Sequence, residues 1–145
     1  MTVEFTDRAR AVLEAPNLAC LATVDAGGAP CVQPVWFDLD GETIRLNSIE
    51  GRAWPRRVRR DGRVSVCVVN SAEPTEYVEI RGRIVEDTHE GADEHIDALS
   101  RRYIGIDYPN RFEGEQRILF RVRPERVVPV NLLEAIPGAP FGDQR

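Results

Sequence analysis

The residues best suited to bind an anion lie in and before a short segment rich in arginine. Six of the chain's 19 basic residues, all arginine, stand between residues 52 and 63, although the formal net charge of the chain is −5. Pro55 suits the first turn of a helix, so we predict a short helix that begins near Trp54 and ends at Asp61 and Gly62. The free N–H groups of such a first turn attract anions.

The residues around this predicted helix start can supply further phosphate ligands. Asn47 and Ser48 end a predicted strand, and Arg52 and Arg56 are four residues apart. A hydroxyl, backbone amides and a guanidinium at one helix start together form a phosphate site. The alternative interpretation of the same arginines is a solvated helix face with one or two surface ion pairs.

The sequence offers few residues for catalysis by the protein itself. It has no lysine, which excludes Schiff-base chemistry and a P-loop lysine, and "DAGGAP" is not a dinucleotide-binding glycine motif. The two histidines, His89 and His95, have no cysteine nearby, so we predict no metal site and expect both on a helix surface. With no strong general base in view, we expect a bound cofactor to carry any chemistry, and catalytic residues stay unassigned.

Length and composition limit the remaining possibilities. The 145 residues predict a single domain, 1–145, and no apolar run approaches the roughly 20 residues of a membrane span. A pI near 5.1 argues against a nucleic-acid partner. We see no secretory signal, and the three cysteines, Cys20, Cys31 and Cys67, are expected to be buried free thiols in the cytoplasm.

The elements that must position these residues are mostly strands. Thr6 is a plausible N-cap for a helix over residues 6–15, and a further helix is predicted over residues 90–103. Six or so strands follow one another with short connections, which favours a small antiparallel barrel with peripheral helices over a parallel sheet. The predicted strands span residues 18–24, 31–39, 42–48, 63–70 (buried on both faces), 76–87 and one or two within 116–130. Residues 1–17 form the N-terminal helical part, and residues 131–145 form a tail.

The order of these features resembles the flavin/deazaflavin split-barrel superfamily, the pyridoxamine 5'-phosphate oxidase-like proteins. The similarity lies in an "LATV" strand, a glycine turn, "P-x-x-x-P-V-W-F" from Pro30 to Phe37, a strand that ends in small polar residues, and the arginine-rich helix leading into "RVSV". It covers roughly residues 8–130. The resemblance implies a mainly β protein with short helices, a six-stranded antiparallel split β-barrel of the FMN-binding type. It also implies a homodimer with two cofactor sites at the subunit interface.

The resemblance also implies roles for individual residues. The cofactor would be FMN or the deazaflavin coenzyme F-420, and its phosphate would be held by Asn47, Ser48 and Arg52. Its ring would lie along the strand Gln33, Pro34, Val35 and Trp36, with Arg56 near its tail and Tyr77 reaching the cofactor of the other subunit. Ordinary core packing is the alternative interpretation for Trp36 and Tyr77.

One departure from the family pattern bears on the cofactor. Relatives usually carry lysine two residues after the position of Arg52, whereas this chain has Trp54 followed by Pro55. Three consequences stay open at this stage. Arg56 or Arg57 replaces the lysine, the cofactor binds differently, or binding has been lost. Trp54 itself could stack on a ring, cover the mouth of the site or pack in the core.

The expected function is therefore that of a cytoplasmic oxidoreductase that transfers a hydride between coenzyme F-420 and a small conjugated organic substrate. The middle and C-terminal segments look closest to actinobacterial members, many of which resemble deazaflavin-dependent reductases. Two alternatives stay open, an FMN-dependent oxidase or reductase of the same group, and a non-catalytic protein that binds or stores flavin, haem or another tetrapyrrole. Pyridoxamine phosphate oxidase activity itself is not expected, because the family's C-terminal arginine and histidine pattern is missing after "RPERV".

Overall fold

The structure, a computed structural model, describes residues 3–134 of the chain. These residues form one antiparallel sheet with three α-helices and a short 3-10 turn. In chain order the elements are α1 (Asp7–Glu14), β1 (Ala19–Val24), β2 (Pro30–Val35), β3 (Phe37–Asp40), β4 (Thr43–Ile49), α2 (Ala53–Arg60), β5 (Arg63–Val69), β6 (Glu76–Thr88), α3 (Ala92–Ile104), β7 (Arg117–Asn131) and the 3-10 turn (Leu132–Glu134). Within this range no helix is long and apolar enough to cross a membrane.

The order of the strands explains how the sheet curls. It runs β2-β1-β5-β6-β7-β4-β3, so β2 and β3 lie at opposite edges. Yet only Trp36 separates these two strands in the chain. The sheet must therefore curl until its edges approach each other at Trp36, which confirms the split-barrel fold.

The sheet has seven strands where six were predicted. The stretch 31–39, predicted as one strand, changes partners at Trp36, because β2 pairs with β1 whereas β3 pairs with β4. The predicted tail from residue 131 begins with the end of β7 and the 3-10 turn, and its residues 135–145 lie outside the described residues.

The core lies inside the curled sheet, and α1 packs over it. Thr6 caps α1 as predicted, since its hydroxyl accepts a hydrogen bond from Ala9 N at 3.1 Å. Ala9, Val12 and Leu13 of α1 are buried with the strand side chains that point inward. Arg102 of α3 donates to the carbonyl oxygens of residues 13–15 at 2.8–2.9 Å, and its guanidinium lies over the Phe37 ring. This single side chain thus joins α1, α3 and β3.

The outer face of the sheet is less covered than we expected. On β5, Val64, Val66 and Val68 are buried, whereas Ser65 and Cys67 are half-buried and Arg63 and Val69 are exposed. The prediction that this strand is buried on both faces is therefore wrong, because only its inner face packs into the core. The predicted burial of the cysteines is wrong for the same reason: Cys20 is exposed, and Cys31 and Cys67 are half-buried.

Candidate functional site

A cavity of about 420 Å³ opens between the β2–β3 junction, the start of α2 and α3. Its lining residues come from five elements, β2, β4, α2, α3 and β7, and from the loops between elements. Of the ten predicted site residues, seven line this cavity: Pro34, Val35, Trp36, Asn47, Ser48, Arg52 and Trp54.

The other three predicted residues lie elsewhere. The Gln33 side chain accepts a hydrogen bond from Arg57 Nη2 at 3.2 Å and so faces α2. Arg56 is exposed on α2 and does not line the cavity. Tyr77 lines a separate cavity of about 160 Å³ near Arg8. The expectation that Tyr77 reaches the cofactor of a second subunit concerns an assembly and stays a prediction.

The first turn of α2 is unusually open to an anion. Arg52 is its N-cap residue, but no side chain caps the helix and no acidic residue lies in the first turn. The first N–H groups of a helix have no partner within the helix. In α2 the N–H groups available to a ligand are those of Ala53 and Trp54, because Pro55 has none and Arg52 N donates to the Ile49 carbonyl oxygen at 3.4 Å. Arg52 is exposed, and among the described residues its side chain makes no hydrogen bond.

Arg57, Arg59 and Arg60 of the segment hold α2 in place. Arg57 donates to Thr23 Oγ1 at 2.8 Å, and Arg60 donates to the carbonyl oxygen of Val24 at 2.6 Å. Arg59 forms ion pairs with Glu50 and Asp87 at 2.7–2.8 Å. Hydrogen bonds from Arg59, and then from His89, lower the pKa of Glu50 to about 2. The interpretation of these arginines as a helix face with surface ion pairs therefore applies to the end of α2. It does not apply to the beginning of α2, which is uncapped and borders the cavity.

Trp54 belongs mainly to the core. It is 8% exposed, and its ring centroid lies 5.1 Å from that of Phe120. Since only part of this residue borders the cavity, packing explains most of its surroundings. Neither Arg56 nor Arg57 lines the cavity in place of the family's lysine. The second cation of the cavity is Arg117, from β7.

Trp36 forms an aromatic wall of the cavity. Its ring stacks on Tyr103 with centroids 5.3 Å apart and planes at 10°, and it meets Tyr108 edge-on at 6.1 Å. Tyr103 is itself fixed, because its hydroxyl donates to the carbonyl oxygen of Asn17 at 2.8 Å. Burial raises the pKa of Tyr103, so its hydroxyl stays protonated as this donor. The chain therefore holds the Trp36 ring in one orientation.

A buried polar network lies behind the cavity and corrects one prediction. His95 was expected on the surface, but it is 3% exposed. Its Nε2 lies 3.0 Å from Asp38 Oδ1, and its Nδ1 lies 3.1 Å from the amide nitrogen of Asn47. Since that amide nitrogen also donates to the Ala92 carbonyl at 2.9 Å, it is a donor towards His95. The ring therefore accepts at Nδ1 and donates from Nε2 to Asp38.

Asp38 anchors this network. Arg45 donates to both carboxylate oxygens, at 2.8 and 2.7 Å. Burial alone would raise the pKa of Asp38, but the hydrogen bonds from His95 and Arg45 outweigh burial and lower it. The carboxylate is thus held ionised, and it fixes His95, which in turn fixes the amide of Asn47.

Asn47 and Arg117 carry this network to the cavity wall. The Asn47 amide oxygen accepts from Arg117 Nη1 at 3.3 Å. The Arg117 guanidinium lies 4.7 Å from the Tyr108 ring centroid and is 9% exposed as a residue. Nothing in the sequence singles out this arginine, because it stands 70 positions from Asn47 in a strand with several other arginines. Among the described residues, no group of three or more histidine, cysteine, aspartate or glutamate side chains could hold a metal ion.

Comparison with known proteins adds the family context. A family model for pyridoxamine 5'-phosphate oxidase matches residues 5–131. A solved structure of an F-420 reductase is 27% identical, superposes with a TM-score of 0.78, and the match covers 85% of this chain and 98% of that one. No curated protein sequence matches the chain significantly.

Two further solved structures share the fold at lower identity. A conserved hypothetical protein of Mycobacterium tuberculosis is 18% identical with a TM-score of 0.71, and the match covers 97% of this chain and 94% of that one. HupZ of Group A Streptococcus is 20% identical with a TM-score of 0.65, over 88% of this chain and 95% of that one.

Proposed function

Because this chain belongs to the pyridoxamine 5'-phosphate oxidase family, we propose that it is an oxidoreductase that binds coenzyme F-420 in the cavity beside α2 and transfers a hydride to or from a small conjugated substrate. The similarity to an F-420 reductase at 27% identity favours the deazaflavin over FMN. FMN remains the alternative within the same family.

The observation that carries this proposal is the uncapped start of α2 at the edge of the cavity. A phosphate placed there would meet the free N–H groups of the first turn, the Arg52 guanidinium and the Ser48 hydroxyl. These three kinds of donor suit a phosphate monoester or diester. Both cofactors carry such a group next to a flat ring system.

The other end of the cavity suits that ring. Pro34, Val35 and Trp36 form an apolar and aromatic wall, and Leu99 of α3 adds a further apolar lining residue. When bound, the cofactor supplies the hydride chemistry. The chain's own residues bind the phosphate, orient the ring against Trp36 and exclude water from the reacting face. Backbone amides and arginines stabilise developing negative charge.

A homodimer is part of the proposal. The outer face of the sheet beside the cavity exposes three apolar side chains, Leu18 at 54%, Val32 at 69% and Val69 at 42%. Leu18 also lines the cavity, so the exposed apolar face and the cavity are continuous. A second copy of the chain seated on this face would bury these side chains and complete the wall of the site.

The test is a titration of the purified protein with F-420 and with FMN, each followed by cofactor fluorescence. We expect micromolar binding of F-420, and we expect Arg52→Gln to weaken it at least about tenfold because a charge-assisted hydrogen bond to phosphate is lost. Arg56→Gln is the matched control, since Arg56 lies one turn further along the same helix and outside the cavity. Binding of neither cofactor would refute the proposal.

The same sample separates an enzyme from a storage protein. The buried position of Trp54, where relatives carry lysine, favours the second possibility, a protein that binds a flavin or tetrapyrrole without turnover. Bound F-420 that is reduced and reoxidised faster than the free coenzyme supports the oxidoreductase. Bound cofactor whose redox rates equal those of the free coenzyme supports storage.

A further inference from the structure

Arg117 is a buried cation whose hydrogen bonds within the protein are incomplete. Its side chain is 8% exposed, and it lines the same cavity as Arg52. Its guanidinium has five N–H donors. Within residues 3–134, Nη1 contacts Asn47 Oδ1 at 3.3 Å and Nη2 contacts Glu115 Oε2 at 3.2 Å, and both contacts are long. Charge-assisted hydrogen bonds are normally about 2.7–2.9 Å long. Nε–H is buried and, among the described residues, has no partner.

Such a cation is costly to bury unless something completes its hydrogen bonds. One face of the guanidinium is covered by the Tyr108 ring, 4.7 Å away, and its edge is approached by Asn47 and Glu115. Since Arg117 also borders the cavity, a ligand there can accept from the N–H donors of Nη1 and Nη2 that Asn47 and Glu115 leave unused, whereas the buried Nε is closed off from the cavity. An oxyanion is the acceptor that matches a guanidinium in charge and shape.

The position of Arg117 is set by groups that are themselves fixed. Asp38 holds His95, His95 holds the Asn47 amide, and the oxygen of that amide faces Arg117. A turned Asn47 amide would place its oxygen against the Ala92 carbonyl, so this orientation is the favoured one. The guanidinium is therefore preorganised at the cavity wall.

We propose that Arg117 is a second oxyanion-binding residue of the cavity, separate from Arg52, which receives a carboxylate or phosphate oxygen of a ligand whose flat part lies against Trp36 and Tyr108. This assignment deepens the proposed function, since it concerns the same cavity. The oxyanion can belong to the substrate or to the tail of the cofactor, and two arms of the experiment distinguish these sources.

The first arm needs no cofactor and uses 2-naphthoate and its neutral analogue 2-naphthamide as probes in calorimetric titrations. If the oxyanion belongs to the substrate, wild-type protein binds 2-naphthoate more tightly than 2-naphthamide. We expect Arg117→Gln to lower this ratio of affinities by about 10- to 100-fold. Arg117→Lys keeps the positive charge but loses the paired N–H donors of the guanidinium. We expect it to retain only part of the preference for 2-naphthoate. Arg126→Gln, an exposed arginine on the same strand, is the control that leaves the preference unchanged.

A second variant guards against a folding defect. Glu115→Gln removes the carboxylate that competes for Arg117, so the pairing with a probe should tighten about threefold or more. This gain cannot arise from a loosened fold. Urea midpoints of all variants show whether each one is folded.

The second arm measures F-420 and FMN affinity of the Arg117→Gln and Arg52→Gln variants. If Arg117→Gln loses cofactor affinity and the wild type shows no preference for 2-naphthoate, the oxyanion belongs to the cofactor. This result supports the proposal. Arg117→Gln that alters neither naphthoate nor cofactor binding overturns the proposal. That result leaves the proposed function intact if Arg52→Gln still weakens the cofactor, so the two failures are distinguishable.

Discussion

Asp38→Asn tests the network that fixes the wall of the cavity. Asp38 Oδ1 accepts from Arg45 Nε and His95 Nε2, and Oδ2 accepts from Arg45 Nη2 at 2.7 Å. In the variant, the amide oxygen can keep the first two bonds, but the amide nitrogen then faces Arg45 Nη2 as donor against donor. One hydrogen bond to a charged group is worth about 1.5–3 kcal/mol, so we expect a loss of about 2–3 kcal/mol of the free energy of unfolding.

The pH dependence of stability is a second test of the role of the Asp38 carboxylate. The hydrogen bonds from His95 and Arg45 hold the folded-state pKa of Asp38 below its ordinary value. A depressed carboxyl pKa stabilises the folded state fully above the unfolded pKa of about 3.9, and this stability is lost as the pH falls through the folded pKa. The difference in the free energy of unfolding between wild type and Asp38→Asn should therefore be constant near pH 7. It should decrease as the pH falls below about 5.

The assay is urea unfolding of both proteins, followed by tryptophan fluorescence, at several pH values between 7 and 3. Asp40→Asn is the control, because Asp40 lies on the same strand but its side chain is 56% exposed and pairs with Arg121 at the surface. We expect it to change stability by less than about 1 kcal/mol. Two results would contradict a stabilising role for the Asp38 carboxylate. One is a loss of less than about 1 kcal/mol in the free energy of unfolding of Asp38→Asn at pH 7, and the other is a stability difference from wild type that does not decrease in acid.

Three further substitutions test the packing of the sheet, the contact of α3 with α1, and the proposed dimer interface. Gly82→Ala would place a Cβ atom 2.4 Å from the Arg123 carbonyl oxygen, so thermal unfolding should show a loss of several kcal/mol, whereas Gly27→Ala meets only ordinary contacts and should be nearly neutral. Arg102→Gln shortens the side chain that donates to three carbonyls at the end of α1, and we expect a loss of about 1–3 kcal/mol in urea unfolding; an unchanged midpoint would contradict this. Val32→Asp places a charge on the exposed apolar face of β2, so we expect sedimentation to show a dimer for the wild type and a monomer for the variant. A wild-type monomer, or a variant that still dimerises, would contradict the proposed interface.

The sequence predicted the elements well where local signals are strong. Thr6 marks the start of α1, Pro55 lies in the first turn of α2, and Asp61 with Gly62 follows its end. Alternating apolar residues identified the strands, because period-two patterns depend only on the local pleat. The break at Trp36 was missed, since an apolar run gives no sign that a strand exchanges one partner for another.

The candidate site was predicted in part for a related reason. Seven residues near α2 and the β2–β3 junction were found because they lie in segments with a recognisable order. Arg117 was not found, because it joins the cavity only through the pairing of β4 with β7. Tyr108 was not found, because it lies in the loop between α3 and β7, where no periodic pattern indicates its neighbours. His95 was assigned to a surface because nothing in its helix shows that Asp38 and Asn47 lie against it in the fold.

The decisive experiment for the proposed cofactor site, formed by α2 and the aromatic wall beside it, is a crystal structure of the protein with F-420. We expect the phosphate within hydrogen-bonding distance of Arg52 and the first N–H groups of α2, with the ring against Trp36. A phosphate bound elsewhere, for example at Arg63 of β5 and Arg81 and Arg83 of β6, would contradict the proposed site.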